Sequence, residues 1–337
     1  MAGVLRWDNL ANLEDRRSRG AEEPEHSPNL LGTIVHNDEV MKRILALVTM
    51  ALVTMALLTM ALLLTGCATP APAETQAGVK HTIGDRSYLL TVPGNLPSGP
   101  VRLVAMLHGG FGSGSQAEKS YGWDALAASK GFVVAYPDGI GRAWNVGAGC
   151  CGKPGREATD DVAFIRAVVT DVSSRLNIDP ARIYATGMSN GALLSYRLAC
   201  DTDLFAAIAP VAGTILGECD SPAPISVLEI HGMDDKSVRM DGGTGSGVAA
   251  IDGLPVQDVA KLWRAVNNCE PSDATTVGLV TTSTATCPAG RAVTLITIAG
   301  AGHQWPGSDA VRDGAVPPST ALDATSTIWA FFAAHSR

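Results

Sequence analysis

Charge is scarce in this chain. Only 17% of its 337 residues are Asp, Glu, Lys or Arg, and between Ile44 and Leu64 there are none. Outside the first 66 residues, 19 basic side chains stand against 25 acidic ones, with no basic cluster among them. Polyanions are drawn by concentrated positive potential, so neither nucleic acid nor an anionic membrane surface is expected as a ligand of the folded part. Histidine is scarce as well. There are seven, and only His231, His303 and His335 follow the middle of the chain. None stands at ligand spacing from the cysteines, which argues against a zinc site.

Apolar residues and glycine are plentiful. The chain is 46% hydrophobic and holds 36 glycines, a composition that fits a globular protein with a sizeable core. The length admits one large α/β domain or two small ones. Short apolar runs at 87–92, 101–107, 132–136, 182–186, 205–209, 225–230 and 293–298 read as strands. They alternate with helix-like segments at 160–176, 192–199, 256–267 and 320–334. Thr159 is the expected cap of the first, with Asp160 and Asp161 as its N-terminal acids. Short apolar strands between helices predict an α/β fold whose mostly parallel, doubly wound sheet carries helices on both faces. The glycine-rich stretch 241–253 reads as a mobile loop.

One pentapeptide points to chemistry. Gly187-Met188-Ser189-Asn190-Gly191 lies between a strand-like and a helix-like run. G-x-S-x-G in that setting is a nucleophile elbow, in which a strained turn exposes the serine hydroxyl. The glycines are needed because a Cβ would clash in so tight a turn. Serine is a poor nucleophile unless a base takes its proton and a carboxylate orients that base. His303 is the expected base, on the glycine-rich loop 299–307 just past a strand-like run. His335 lies near the C-terminus and is expected to be solvated; His231 is expected to shape the loop after its strand. That loop offers two carboxylates, Asp234 and Asp235. Neighbours on a loop point in different directions, so one faces the histidine, and spacing does not choose between them. An oxyanion hole needs two backbone N–H groups. Asn190, following the nucleophile, supplies one; Gly110, in the loop His108-Gly109-Gly110-Phe111 after an early strand, is the choice for the other. His108 itself is expected to bond backbone and hold that loop. Trp305, two residues past the base, either flanks the site and stacks on a phenolic or sugar ring or packs under the loop. Trp144, with Asn145, is a second candidate for the substrate wall.

Several motifs occur in a fixed order: Leu107-His108-Gly109-Gly110, Tyr136-Pro137-Asp138-Gly139, Cys150-Cys151-Gly152, Asp160-Asp161-Val162-Ala163-Phe164-Ile165, the elbow, His231-Gly232-x-x-Asp235-x-x-Val238, and Gly302-His303-x-Trp305-Pro306-Gly307. From Val79 to the C-terminus the chain resembles the secreted α/β-hydrolases grouped as polyhydroxybutyrate depolymerases and feruloyl esterases, including LpqC-like lipoprotein esterases. The resemblance implies an α/β-hydrolase fold and ester hydrolysis through an acyl-enzyme, without metal or organic cofactor. It places the triad carboxylate on Asp235. The substrates it implies are hydroxycinnamoyl esters on polysaccharide, acetylated sugars and polyesters of hydroxy acids. Many members carry an aromatic or cysteine-containing loop after His-Gly; here Gly110 and Phe111 stand there, so acyl specificity does not carry over. Two other kinds of function use similar residues: a peptidase or envelope acyltransferase on the same fold, and a binding lipoprotein without catalysis.

The N-terminal part concerns location. Met41-Lys42-Arg43, the uncharged run 44–64 and Leu64-Thr65-Gly66-Cys67 make a basic n-region, an apolar h-region and a lipobox. Residues 41–66 are therefore read as a lipoprotein signal peptide and Cys67 as the lipidated residue, anchoring the chain to a membrane through acyl chains. A spanning helix is the other reading of 21 uncharged residues. Within the h-region Ala46-Leu47-Val48-Thr49-Met50 is repeated nearly unchanged at 51–55 and 56–60. The acidic stretch 1–40 opposes the charge rule for export and is read as a misassigned start or a disordered extension. Residues 67–78 form a Pro/Ala tether, and 79–337 the catalytic domain. Six further cysteines in an exported chain suggest three disulfides. Cys200 with Cys219 and Cys269 with Cys287 each close a short loop, which leaves Cys150 with Cys151.

Overall fold

The computed structural model describes residues 31–63, 77–309 and 317–337. Cys67, the Leu64–Cys67 lipobox and most of the tether lie outside them. The chain divides into two units, Met1–Ala71 and Pro72–Arg337. In the first, α1 (Leu31–Leu63) is one helix that runs through Met41. Thr49 and Thr54 satisfy their hydroxyls on carbonyls of the preceding turn. Among the described residues no helix is long and apolar enough to cross a membrane.

The second unit opens with the strands β1 (Val79–Ile83), β2 (Arg86–Thr91) and β3 (Val101–Leu107), then the helices α2 (Gly114–Ser120) and α3 (Trp123–Lys130). Next come β4 (Val133–Pro137), α4 (Gly152–Arg156), α5 (Asp161–Arg175), β5 (Ile178–Met188), α6 (Asn190–Asp201), β6 (Ala207–Val211) and β7 (Ser226–Gly232). A small ribbon of β8 (Gly243–Thr244) and β9 (Asp252–Gly253) precedes α7 (Val256–Val266). The hairpin β10 (Asp273–Val277) and β11 (Val280–Cys287), then β12 (Arg291–Ile298) and α8 (Ala324–Ala334), complete it.

Ten strands form one sheet in the order β1-β2-β4-β3-β5-β6-β7-β12-β11-β10. The six from β4 to β12 pair parallel, and antiparallel pairings close both edges. Side chains alternate between two cores. Leu103, Ala105 and Leu107 pack with Ile165, Val168 and Leu194 on one face; Val104 and Met106 pack with Trp123, Ile328 and Phe332 on the other. Period-two alternation in strands buried on both faces requires this two-layer cover.

Local chemistry moved several expected boundaries. The cap of α5 is Asp160, whose carboxylate accepts the Ala163 N–H at 2.8 Å; Thr159 is outside the helix. Asp161 is more than an N-terminal acid. It is buried against Arg86 at 2.6 Å and accepts the Asn145 N–H. α8 starts at Ala324 because the Asp323 side chain caps it through the Ser326 N–H. β6 runs two residues beyond its expected end, through Pro210 and Val211. His335 is half-buried, with Nδ1 at 2.7 Å from the Phe331 carbonyl and its own carbonyl accepting the Tyr184 hydroxyl. The glycine-rich stretch 241–253 is tied down by the β8–β9 pairing and by Ser246 N–H donating to the Lys236 carbonyl.

The cysteines pair Cys150–Cys151, Cys200–Cys219 and Cys269–Cys287. Cys200–Cys219 closes a loop of sequence separation 19. A loop of that length restricts the unfolded chain by about 3 kcal/mol, so Cys200→Ala/Cys219→Ala should lower unfolding free energy by about that amount in a urea titration.

The loop after β3 is held by His108. Its ring is fully buried, accepts the Gly139 N–H at Nε2 (2.9 Å) and meets the Gly109 carbonyl at Nδ1 (2.8 Å). Nδ1 therefore carries the hydrogen of a neutral ring. Burial holds its pKa at about 4, against 6.5 ordinarily, while the Gly109 carbonyl and Asp138 oppose the drop. The unfolded ring takes up a proton near pH 6.5 and the folded ring only near 4. Its contribution to stability is complete above pH 6.5 and is lost as pH falls towards 4, about 3 kcal/mol in all. Urea midpoints of the wild type should fall across that window more steeply than those of His108→Asn.

Candidate active site

The elbow lies where β5 turns into α6. Ser189 has φ 56° and ψ −119°, a backbone conformation costly for a residue with a Cβ. Two close approaches keep it there. A Cβ on Gly191 would lie 2.2 Å from the Leu107 carbonyl oxygen, and one on Gly187 would lie 2.5 Å from Gly191. The Ser189 N–H donates to the Val211 carbonyl on β6 at 2.9 Å, and the Ser189 carbonyl accepts the Leu193 N–H to begin the helix. The strain is thus held from both flanks.

The loops after β7 and β12 meet beside the elbow. The Met233 N–H donates to the Ile298 carbonyl and the Asp234 N–H to the Ala301 carbonyl, at 3.0 and 2.8 Å. A Cβ on Gly232 would sit 2.4 Å from the Ala301 carbonyl oxygen. With Asp234 anchored through its backbone, its side chain points to solvent and the next one turns in. Asp235 Oδ2 lies 2.7 Å from His303 Nδ1, and His303 Nε2 lies 2.8 Å from Ser189 Oγ. The structure thus brings together Ser189, His303 and, of the two candidate aspartates, the one that the resemblance placed there. Burial raises the Asp235 carboxyl, but the hydrogen bond and charge of His303, the His231 charge and the Val238 N–H outweigh it and hold it below the usual carboxylate range. An ionised Asp235 keeps the His303 hydrogen on Nδ1 and leaves Nε2 free to accept from the serine.

Asn190 is the first residue of α6, where an N–H has no partner within the helix. Gly110 is beside it: a Cβ there would be 3.9 Å from the Asn190 Cβ. The Asn190 side chain has a task that the sequence did not reveal. Its Oδ1 accepts the Trp144 N–H at 2.7 Å and its Nδ2 donates to the Trp144 carbonyl at 3.1 Å. Phe111 follows Gly110 with φ 65° and is 58% exposed, a conformation rare for a bulky side chain.

Neither tryptophan stands on a substrate wall. Trp144 is fully buried, with Nε1 donating to the His108 carbonyl at 2.8 Å. Trp305 is 2% exposed, stacks on Tyr121 at 4.6 Å and donates from Nε1 to Thr325 Oγ1. Each indole has its N–H satisfied inside the fold, so each braces a loop from beneath. Asn145 is spent likewise, its Nδ2 donating to the Thr159 carbonyl. A cleft of about 950 Å³ opens beside the acid loop, lined among others by Met233, Asp234, Lys236, Met240 and Pro255. Among the described residues no group of three His, Cys, Asp or Glu could hold a metal ion.

The family model described as Esterase PHB depolymerase matches residues 86–266. Feruloyl esterase B of Piromyces equi is 33% identical over 219 residues, which are 60% of this chain and 39% of that protein. The putative esterase NocK of Nocardia uniformis is 33% identical over 235 residues, 63% of this chain and 67% of that one. Feruloyl esterase C of Emericella nidulans is 32% identical over 200 residues, 57% and 65% respectively. The chain thus spans well under half of the Piromyces protein and about two thirds of the other two. Among solved structures, an acetyl xylan esterase from Aspergillus awamori superimposes with TM-score 0.53 at 18% identity, covering 76% of this chain and 98% of that one. A dienelactone hydrolase-like phosphotriesterase, P91, from metagenomic libraries superimposes with TM-score 0.51 at 16% identity, covering 78% and 98%. Both share the α/β-hydrolase fold. With its ordered motifs, its parallel-centred sheet and a family match over more than half its length, the chain belongs to the esterase PHB depolymerase family.

Proposed function

We propose that this protein is an exported serine carboxylic ester hydrolase that works through an acyl-enzyme. The observation that carries the reading is the unbroken line from Asp235 Oδ2 to His303 Nδ1 and from His303 Nε2 to Ser189 Oγ, at 2.7 and 2.8 Å. Ser189 Oγ attacks the acyl carbonyl while His303 Nε2 takes its proton. The N–H groups of Gly110 and Asn190 hold the oxyanion. His303 returns the proton to the departing alcohol, and a water activated by the same nitrogen releases the acid. No metal or cofactor takes part in these steps. Asp235 keeps the imidazole oriented throughout.

The esters in view carry a ring. Relatives are named feruloyl esterases, and the exposed Phe111 ring, next to the Gly110 donor, supports an aromatic acyl group. The cleft beside the acid loop has the volume for a sugar-sized alcohol. Export rests on the 41–67 segment and on the three cysteine pairs, which persist in oxidising compartments. In this reading residues 41–66 are removed, Cys67 carries the lipid anchor, 67–78 is the tether and 79–337 is the enzyme, with 1–40 outside the mature protein.

Hydrolysis of acetyl, butyryl and feruloyl model esters tests the chemistry. Ser189→Ala should lose about a millionfold in kcat and all labelling by a fluorophosphonate. Retained turnover in that variant would rule out the nucleophile; products transferred to an added sugar or lipid alcohol in place of water would make the protein an acyltransferase. Phe111→Ala should lower kcat/KM on the feruloyl ester roughly threefold to tenfold relative to the acetyl ester. An unchanged ratio would remove the ring from recognition.

A further inference from the structure

Behind the acid lies a second histidine–carboxylate pair that the proposed mechanism does not use. Glu229 and His231 are two residues apart on β7 and share a face of the strand. That face packs into an apolar core, yet Glu229 is 2% and His231 1% exposed. Burial of two such groups is tolerated only when their polar atoms are satisfied. Glu229 Oε2 accepts the Tyr196 hydroxyl at 2.9 Å, and Oε1 accepts the Gly213 N–H at 3.1 Å. His231 Nδ1 lies 2.8 Å from Glu229 Oε1, and Nε2 lies 2.9 Å from the Val238 carbonyl. A carbonyl cannot donate, so Nε2 carries a hydrogen. The Tyr196 hydroxyl and the Gly213 N–H both donate to Glu229 and favour its carboxylate form, while burial pushes that carboxyl up; a carboxylate 2.8 Å from Nδ1 favours a second hydrogen on the ring. Ring Nε2 lies 3.6 Å from Asp235 Oδ2, the oxygen that meets His303.

The Val238 residue bonded by His231 also holds the acid. Its N–H and that of Ser237 donate to Asp235 Oδ1 at 2.9 and 2.8 Å. The bonds form a closed circuit. Ser189 is the N-cap of α6, and Tyr196 lies about two turns along that helix. Tyr196 bonds Glu229, Glu229 bonds His231, His231 bonds Val238, Val238 bonds Asp235, and Asp235 leads through His303 back to Ser189.

We propose that His231 is a positioning residue for the ester-hydrolysing site: held by Glu229, it pins the Val238 carbonyl and turns its ring charge towards Asp235, so that Oδ2 stays aimed at His303. The inference rests on the serine-esterase reading of the site. It accounts for a buried ionisable pair in a strand whose only other polar side chain is Ser226. The titratable groups facing the ring are Glu229 on its own strand, Asp235 on the next loop and, through Glu229, Tyr196 on α6. Burial lowers the pKa of the ring, but the Glu229 hydrogen bond and charge, with Asp235 and the Val238 carbonyl, more than restore it.

The test uses the full chain with His231→Gln, Glu229→Gln and Ser189→Ala, assayed on p-nitrophenyl butyrate. Misaiming a catalytic group by about an ångström costs up to about a hundredfold. His231→Gln and Glu229→Gln should therefore lose about tenfold or more in kcat with KM within about twofold. The low-field proton resonance of the His303–Asp235 bond should shift or broaden in both. Wild-type kcat and an unmoved resonance in variants with wild-type melting temperatures would overturn the role of His231, provided that Ser189→Ala is inactive; an active Ser189→Ala would instead overturn the reading beneath it. Should neither variant fold, ring nitrogen resonances of wild-type His231 decide. The proposal expects both ring nitrogens protonated throughout the range in which a free imidazole titrates, and a neutral ring or ordinary titration there overturns it.

Discussion

The site depends on one steric fact: the missing Cβ of Gly191. A methyl group there would lie 2.2 Å from the Leu107 carbonyl oxygen at the end of β3. Without it, the first turn of α6 lies directly against the loop after β3. That contact sets Asn190 beside Gly110, lets the Asn190 amide clasp the Trp144 backbone, and lets Trp144 reach the His108 carbonyl. It also traps Ser189 at φ 56°. The strain in the turn is sustained by the sheet, since the Ser189 N–H is fixed to β6.

The sheet places the other two groups. Parallel strands all end on the same edge, so loops after β5, β7 and β12 emerge side by side. Gly232 repeats on the acid side what Gly191 does at the elbow, letting the Asp234–Met233 backbone bond the β12 loop closely. The proposed triad is thus assembled mainly by backbone proximity. Its side chains are then oriented by buried partners: Val238 and Ser237 for the acid, and Glu229 with His231 behind them.

Much of this was legible in the sequence. The glycine-flanked serine turn, the histidine that meets it and the places of most core strands were readable because each is local: a G-x-S-x-G between runs, a histidine after an apolar run, short apolar stretches. The choice between Asp234 and Asp235 was not legible from spacing, because it is made by the tertiary bond from the Asp234 N–H to Ala301. Trp144 and Trp305 show the same limit. An indole after a loop can face out or in, and only the partners His108 and Thr325, distant in sequence, turn these two inward. The β10–β11 hairpin went unseen since every residue of β10 is exposed and threonines replace the apolar alternation. Helix starts slipped where two capping residues compete, as Thr159 and Asp160 do, and backbone geometry chooses.

The account turns on whether acyl groups pass through the Ser189 hydroxyl. Acid-quenching the enzyme during turnover of a butyryl or feruloyl ester, then weighing its proteolytic fragments, tests this most directly. The account predicts the acyl mass on the fragment containing Ser189, and its disappearance as substrate runs out. Steady turnover with that fragment always unmodified, or with the acyl group on another residue, would contradict it.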